Sequence, residues 1–255
     1  MKIWTIMKKE LRLYFTTPVA YGVMFCFLLI TGYFFYSIFA FYTMASMQSA
    51  MNPQMGRDLN VTDSVLRPLF SNMSVILLLL MPLMTMRLFA EERRSGTIEL
   101  LLTYPVRDGA VLVAKYLAAL ALYVLMLGLT LLYPGIVVYF TRVEWGPLLT
   151  GYLGLFLMGA TFLAVGIFAS SLTENQIVAS ITTFGVLLFL WVVGWSAEYV
   201  GGTWGRVLSH LSLLDHFDTF ARGVLDTKDV IYYVDVTVVA LFLTLRSLEA
   251  RRWRG

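Results

Sequence analysis

Six ionisable side chains crowd into residues 87–99: Arg87, Glu91, Glu92, Arg93, Arg94 and Glu99, with the break Ser95-Gly96-Thr97 among them. Arg107, Asp108 and Lys115 follow closely. Charge at this density is costly to place in hydrocarbon, so the segment must face water or a soluble partner. The plainer alternative is that these charges only anchor two helices at a membrane surface. A second group, His210 and His216 with Asp215 and Asp218, contains metal-ligand residue types. On one continuous helix, two histidines six apart point roughly 120° away from each other, given about 3.6 residues per turn. Solvated interfacial side chains are therefore the better reading of that group. Asp235 would lie about 9 Å into a helix that starts at Val230, at about 1.5 Å per residue. An intramembrane carboxylate marks a functional position unless it reaches interfacial water or pairs with Lys228.

Other chemistry is missing. No G-x-x-x-x-G-K-[ST] occurs, and no glycine precedes a lysine anywhere, so no phosphate-cradling loop is expected. There is no H-E-x-x-H, no G-x-S-x-G and no paired carboxylate set within an apolar run. The expectation is a chain that is not itself an enzyme and holds neither metal nor cofactor. Few ionisable residues inside the apolar runs, and no clear internal repeat, argue against an ion-coupled carrier. If the chain moves something, the energy comes from elsewhere. Trp191 and Trp195, with Tyr199, Tyr232 and Tyr233, read as an outer aromatic belt. The alternative is an apolar substrate path, for which Trp191, Trp195 and Asp235 are the candidates.

The elements that must carry these residues follow from composition. Of 255 residues, 59% are hydrophobic and only 14% charged, and mean hydropathy is +0.76. Soluble domains carry about 25% charged residues. Several charge-free runs reach the roughly 20 residues that cross a bilayer, and no polar stretch is long enough to build a separate core. The fold class expected is all-α, a polytopic membrane protein forming one transmembrane domain over residues 1–255. Six spans are placed at about 20–42, 69–89, 110–140, 148–170, 176–197 and 230–248, with a kink at Pro82. Ahead of them, residues 1–17 alternate Ile3, Trp4, Met7, Leu11, Tyr14 and Phe15 with Lys2, Lys8, Lys9 and Arg12. That pattern is an amphipathic helix lying on an anionic membrane surface. The apolar run behind it is much longer than a signal-peptide core of about 7–15 residues, so it is expected to be retained as an anchor. Cys26 is the single cysteine, which excludes an intrachain disulfide.

With both termini cytoplasmic, the inner segments hold Lys2, Lys8, Lys9, Arg12, Arg87, Arg93, Arg94, Arg107, Lys115, Arg246, Arg251, Arg252 and Arg254. The outer segments hold Arg57, Arg67, Arg142, Arg206, Arg222 and Lys228. The excess of basic residues inside favours that orientation. Between spans four and five, Thr173, Glu174, Asn175 and Gln176 form a short inner turn. Thr173 and Gln176 match a capping box for span five, although contact with a partner is an equal alternative for this turn. In residues 201–229, Val207, Leu211, Leu214, Phe217, Phe220, Ala221 and Val224 recur at helical spacing, with Asp215, Asp218 and Arg222 clustered on the same stretch. This reads as an outer amphipathic helix, or a simple lid on the bundle.

Four stretches resemble one family in order along the chain: MKIWTIMKKELRLYFTTPVAY, FAEERRSGTIELLLTYPV, SSLTENQIVA and LSHLSLLDHFDTFARGVLDTKDVIYY. Together they look like the permeases of ABC type-2 transporters, nearest to the gliding-motility (GldF) and copper-enzyme-maturation (NosY) group. The resemblance implies a bacterial inner-membrane permease subunit that dimerises, with an identical or related chain, and binds two copies of a soluble ABC ATPase. ATP and magnesium would sit on that ATPase. It further implies a cytoplasmic coupling helix, with Glu91, Glu92, Arg93, Arg94, Ser95, Gly96, Thr97 and Glu99 as the docking surface. Gly96 would allow a tight turn and Thr97 would cap the helix that follows. Glu91 and Glu92 would continue straight from span two as a rigid lever. The implied activity is export of a hydrophobic or amphipathic cargo along a path between protomers, lined by spans one, two and five. The alternative from another class is a non-transporting scaffold that anchors an ATPase or a cell-envelope assembly.

Overall fold

Every apolar run becomes a helix, because in hydrocarbon only intrachain pairing satisfies the backbone N–H and C=O groups. The computed structural model describes residues 2–51, 60–97, 107–141 and 143–252, and among these there is no strand. The helices are α1 Lys2–Thr16, α2 Pro18–Met51, α3 Arg67–Thr85, α4 Ala90–Arg94, α5 Asp108–Leu129, α6 Leu132–Phe140, α7 Trp145–Leu172, α8 Gln176–Val200, α9 Gly202–Leu211, α10 Leu213–Ala221 and α11 Thr227–Arg252. Six of the resulting segments are long and apolar enough to cross a membrane: 18–49, 62–94, 108–140, 145–172, 176–197 and 227–250. Their order matches the spans read from sequence.

The boundaries differ for local reasons. Span one extends past Tyr42 to Met51, because the Thr43 and Ser49 hydroxyls bond back to the Ala40 and Ala45 carbonyls and need no water. Span two gains a wide π turn, Thr62–Leu66, before α3. Span three, expected as one helix, breaks between α5 and α6. Pro134 has no N–H to give the Thr130 carbonyl, which accepts from Tyr133 N instead at 3.0 Å. The outer helix expected across residues 207–224 is two helices, α9 and α10, separated by Ser212, whose hydroxyl accepts from Asp215 N at 3.2 Å.

The span α7 is the hub. It packs against α3, α5, α8, α10 and α11, and 78% of its apolar window is buried, against 22% for α2 and for α11. Small residues allow this closeness. A Cβ on Gly159 would fall 2.3 Å from the Tyr123 ring of α5, and one on Gly166 would fall 2.1 Å from Thr85 Oγ1 of α3. Thr161 adds polar contact, its hydroxyl bonding to the Tyr233 carbonyl at 3.1 Å and to Thr237 Oγ1 at 3.0 Å on α11.

Candidate functional site at the charged end of the bundle

The charged segment is built on an elbow. Pro82 lies inside α3 without ending it, and the interruption comes a turn later, at residues 86–89. There the Ser170 hydroxyl of α7 accepts from Phe89 N and Ala90 N, each at 3.1 Å, and donates to the Met86 carbonyl at 3.0 Å. In an unbroken helix Ala90 N would bond the Met86 carbonyl directly. One hydroxyl has been inserted into the ladder, which is a recognised cause of a sharp bend. Gly166, one turn earlier on the same face of α7, lets Thr85 sit close enough for Ser170 to reach in. The lever expected to run straight from span two is therefore interrupted at residues 86–89, where α7 braces it.

Beyond the elbow, α4 divides the expected docking residues into two sets. Arg93 is only 6% exposed, and its Nη1 donates to the Ser171 carbonyl at the end of α7. A cation there meets the negative end of the helix dipole. Its Nε and Nη2 make no hydrogen bond. Glu92 turns inward to Lys115 of α5, with Oε1 2.8 Å from Nζ. Lys115 is 2% exposed, lies 3.2 Å from Glu10 of α1, and sits 5.3 Å from the Phe89 ring centroid. One buried cation thus ties α1, α4 and α5 together. Arg93 and Glu92 are accordingly not free docking surface: both are committed within the chain. The exposed set is Glu91, Arg94, Ser95, Gly96 and Thr97.

That exposed ledge is folded on itself. Gly96 has φ +69°, a conformation that favours glycine. The Ser95 hydroxyl lies 2.9 Å from the Glu91 carbonyl and 2.8 Å from Thr97 Oγ1, and the Thr97 hydroxyl donates to the Glu92 carbonyl at 3.3 Å. Glu99, the helix expected after Thr97 and the cap on it lie outside the described residues. Next to the ledge is the second turn. Asn175, not Thr173, caps α8: Asn175 Oδ1 accepts from Ile177 N at 2.9 Å, while Thr173 Oγ1 accepts from Asn175 N at 3.1 Å. Gln176 is simply the first residue of α8, so the capping box is not formed. Glu174 and Asn175 are exposed. The helix α4 packs on both α7 and α8, the two helices that this turn joins.

The sequence profile of ABC-2 family transporter proteins matches residues 4–249. The chain belongs to the ABC-2 transporter family. No curated protein matches it. ABC-2 permeases are transmembrane components that normally work with a separate ATP-binding subunit.

In this ABC-2 permease the opposite end of the bundle holds the other sequence-flagged residues. The break at Ser212 undoes the separation of the two histidines, and their ring centroids lie 5.5 Å apart. His216 Nδ1 lies 2.6 Å from Asp229 Oδ1, and its Nε2 lies 3.1 Å from the His210 carbonyl. Both ring nitrogens are therefore engaged by the protein. Among the described residues no group of three or more His, Cys, Asp or Glu suits a metal ion. Asp218 pairs with Arg67 at 2.7 Å and with Arg222 at 2.5 Å. Partial burial pushes its carboxyl up, but the hydrogen bonds from Arg67 and then Arg222 outweigh this and hold it below the usual carboxylate range. Lys228 pairs with Asp226 at 3.1 Å rather than with Asp235, which is exposed on α11. Tyr232 and Tyr233 leave the expected belt: both are buried, with hydroxyls on the Leu211 and Leu213 carbonyls at 2.7 and 2.8 Å. Trp195 and Tyr199 are exposed on α8, whereas Trp191 is buried within the protomer.

Glu10, Lys115 and Ser170 escaped the sequence reading of the site. The N-terminal helix reads from its apolar and basic residues alone, and Lys115 as a cation of the inner segments. The available signal was a lysine one turn inside an apolar run, which demands a buried carboxylate partner.

Proposed function

We propose that this chain is the membrane-spanning permease subunit of an ATP-driven exporter, resembling the GldF and NosY group. The observation that carries the reading is the exposed ledge of Glu91, Arg94, Ser95, Gly96 and Thr97, which stands on a braced elbow beside the exposed Glu174–Asn175 turn. A surface of mixed charge on a rigid mount is what a soluble ATPase needs in order to push on a membrane helix. The bias of basic residues toward this end supports a cytoplasmic position for it and for both termini, in a bacterial inner membrane. ATP and magnesium belong to the partner, present in two copies. The sparse burial of α2 and α11 leaves faces for a second protomer as well as for lipid, and the cargo, hydrophobic or amphipathic, passes between protomers. Trp195 is exposed to such a path, whereas Trp191 packs inside the protomer.

The test is purification of the complex from its native membrane in mild detergent, followed by ATPase assay of the eluate. Co-elution of a nucleotide-binding protein with vanadate-sensitive activity is expected, and Glu91→Ala/Arg94→Ala should abolish the co-elution or uncouple the activity. An ATPase rate that responds to amphipathic compounds supports export. A rate indifferent to every such compound favours the scaffold reading. Absence of any ATPase overturns the exporter reading and leaves a scaffold for a cell-envelope assembly.

A further inference from the structure

Between α1, the start of α2 and the end of α3 lies a crevice of about 420 Å³. One wall is apolar, formed by Leu13, Val19, Val23, Leu83, Leu88 and Leu122. The lining also carries three cations, Lys9, Arg87 and Lys115, and three carboxylates, Glu10, Glu91 and Glu92. Its place follows from its walls. They are the amphipathic helix α1, the adjoining parts of the spans α2, α3 and α5, and the charged α4, so the crevice sits at the boundary between hydrocarbon and water.

Two buried atoms in this wall have no hydrogen-bond partner: Glu92 Oε2, an acceptor, and Arg87 Nε, a donor. Buried polar atoms are nearly always satisfied, so two orphans on residues of one crevice point to a ligand that supplies both partners once the side chains turn toward it. Glu92 asks for an N–H donor at its second oxygen, because the first already holds Lys115, and an ammonium N–H bonds a carboxyl group most strongly. Arg87 asks for an anionic oxygen, which a phosphate provides. The apolar wall asks for hydrocarbon.

We infer that this crevice binds an aminophospholipid of the surrounding leaflet. The primary ammonium is held by Glu92, the phosphate by Arg87, and the acyl chain lies along Val19, Val23 and Leu83. The balanced charge of the wall selects a zwitterionic head over an anionic one. The crevice borders the proposed ATPase ledge and shares Glu91, Ser95 and Thr97 with it, but the inference rests on Glu92, Arg87 and the apolar lining and not on the ATPase reading.

The protein is extracted, delipidated in mild detergent and exchanged against vesicles containing equal amounts of phosphatidylethanolamine, phosphatidylcholine and phosphatidylglycerol. Lipid retained per protomer is then read by mass spectrometry. Phosphatidylethanolamine should be retained about tenfold over phosphatidylcholine, whose quaternary ammonium has no N–H to donate; a charge-assisted hydrogen bond is worth roughly that factor. Glu92→Gln should remove the preference, and Leu83→Trp, on the crevice wall away from the ion network, should block retention. Equal retention of the three lipids by the wild-type protein overturns the proposal without recourse to any variant. So does preference for phosphatidylglycerol, or a preference that survives Leu83→Trp.

Discussion

Lys115 shows how one side chain can hold three helices. Its ammonium is buried between Glu10 and Glu92, so Lys115→Met leaves two carboxylates with no cation between them. Breaking a buried pair in this way costs up to about 3–5 kcal/mol, and the apparent melting temperature in detergent should fall clearly. Adding Glu10→Gln and Glu92→Gln to that variant should recover much of the loss, because the stranded charges go with them. An unchanged melting temperature for Lys115→Met would mean that water screens the site. At the other end, Asp218 is held below its ordinary range by Arg67 and Arg222. The folded value is depressed, so the stabilisation is present above the unfolded carboxylate value of about 3.9. It is lost as pH falls through the lower folded value. Melting temperature followed downward in pH should drop more steeply for the wild-type protein than for Asp218→Asn. Parallel curves would show that the pairing contributes nothing.

The elbow between α3 and α4 is an element-scale device, and its parts are on α7. Ser170→Ala removes the acceptor of two buried amides, at about 1–3 kcal/mol for each donor left unsatisfied. Hydrogen exchange at Phe89 and Ala90 should quicken while the middle of α3 stays protected; uniform exchange along α3 in both proteins would contradict the brace. Gly166→Ala forces a methyl against Thr85 and should destabilise by about 1–3 kcal/mol, the range for overpacking. Apolar run length made the six spans legible in sequence, and the density of charge made the loop after span two legible. The elbow was not, because Pro82 draws the eye, whereas the hydroxyl that enters the helical ladder belongs to a serine eighty residues away in the chain. The fate of Arg93 was hidden similarly. A charge in a hydrophilic run reads as surface until a carbonyl at the end of another helix claims it. The capping of α8 by Asn175 and the break at Ser212 are decided by one hydrogen bond each, below the resolution of periodicity.

Across the whole molecule, charge collects at the two ends of an apolar bundle whose hub is α7. One end is closed on itself by the Arg67–Asp218–Arg222 and His216–Asp229 contacts. The other end offers an exposed ledge and turn on a braced mount. That asymmetry is why we propose the ledge as the surface on which an ATP-binding subunit acts. Family membership supplies the class of partner, and the structure supplies the residues left free to meet it. A photo-crosslinking amino acid placed at Arg94 in native membranes should capture the ATP-binding subunit, and the same group at Trp204, at the opposite end, should not. No adduct from Arg94, or equal adducts from both positions, would contradict the assignment.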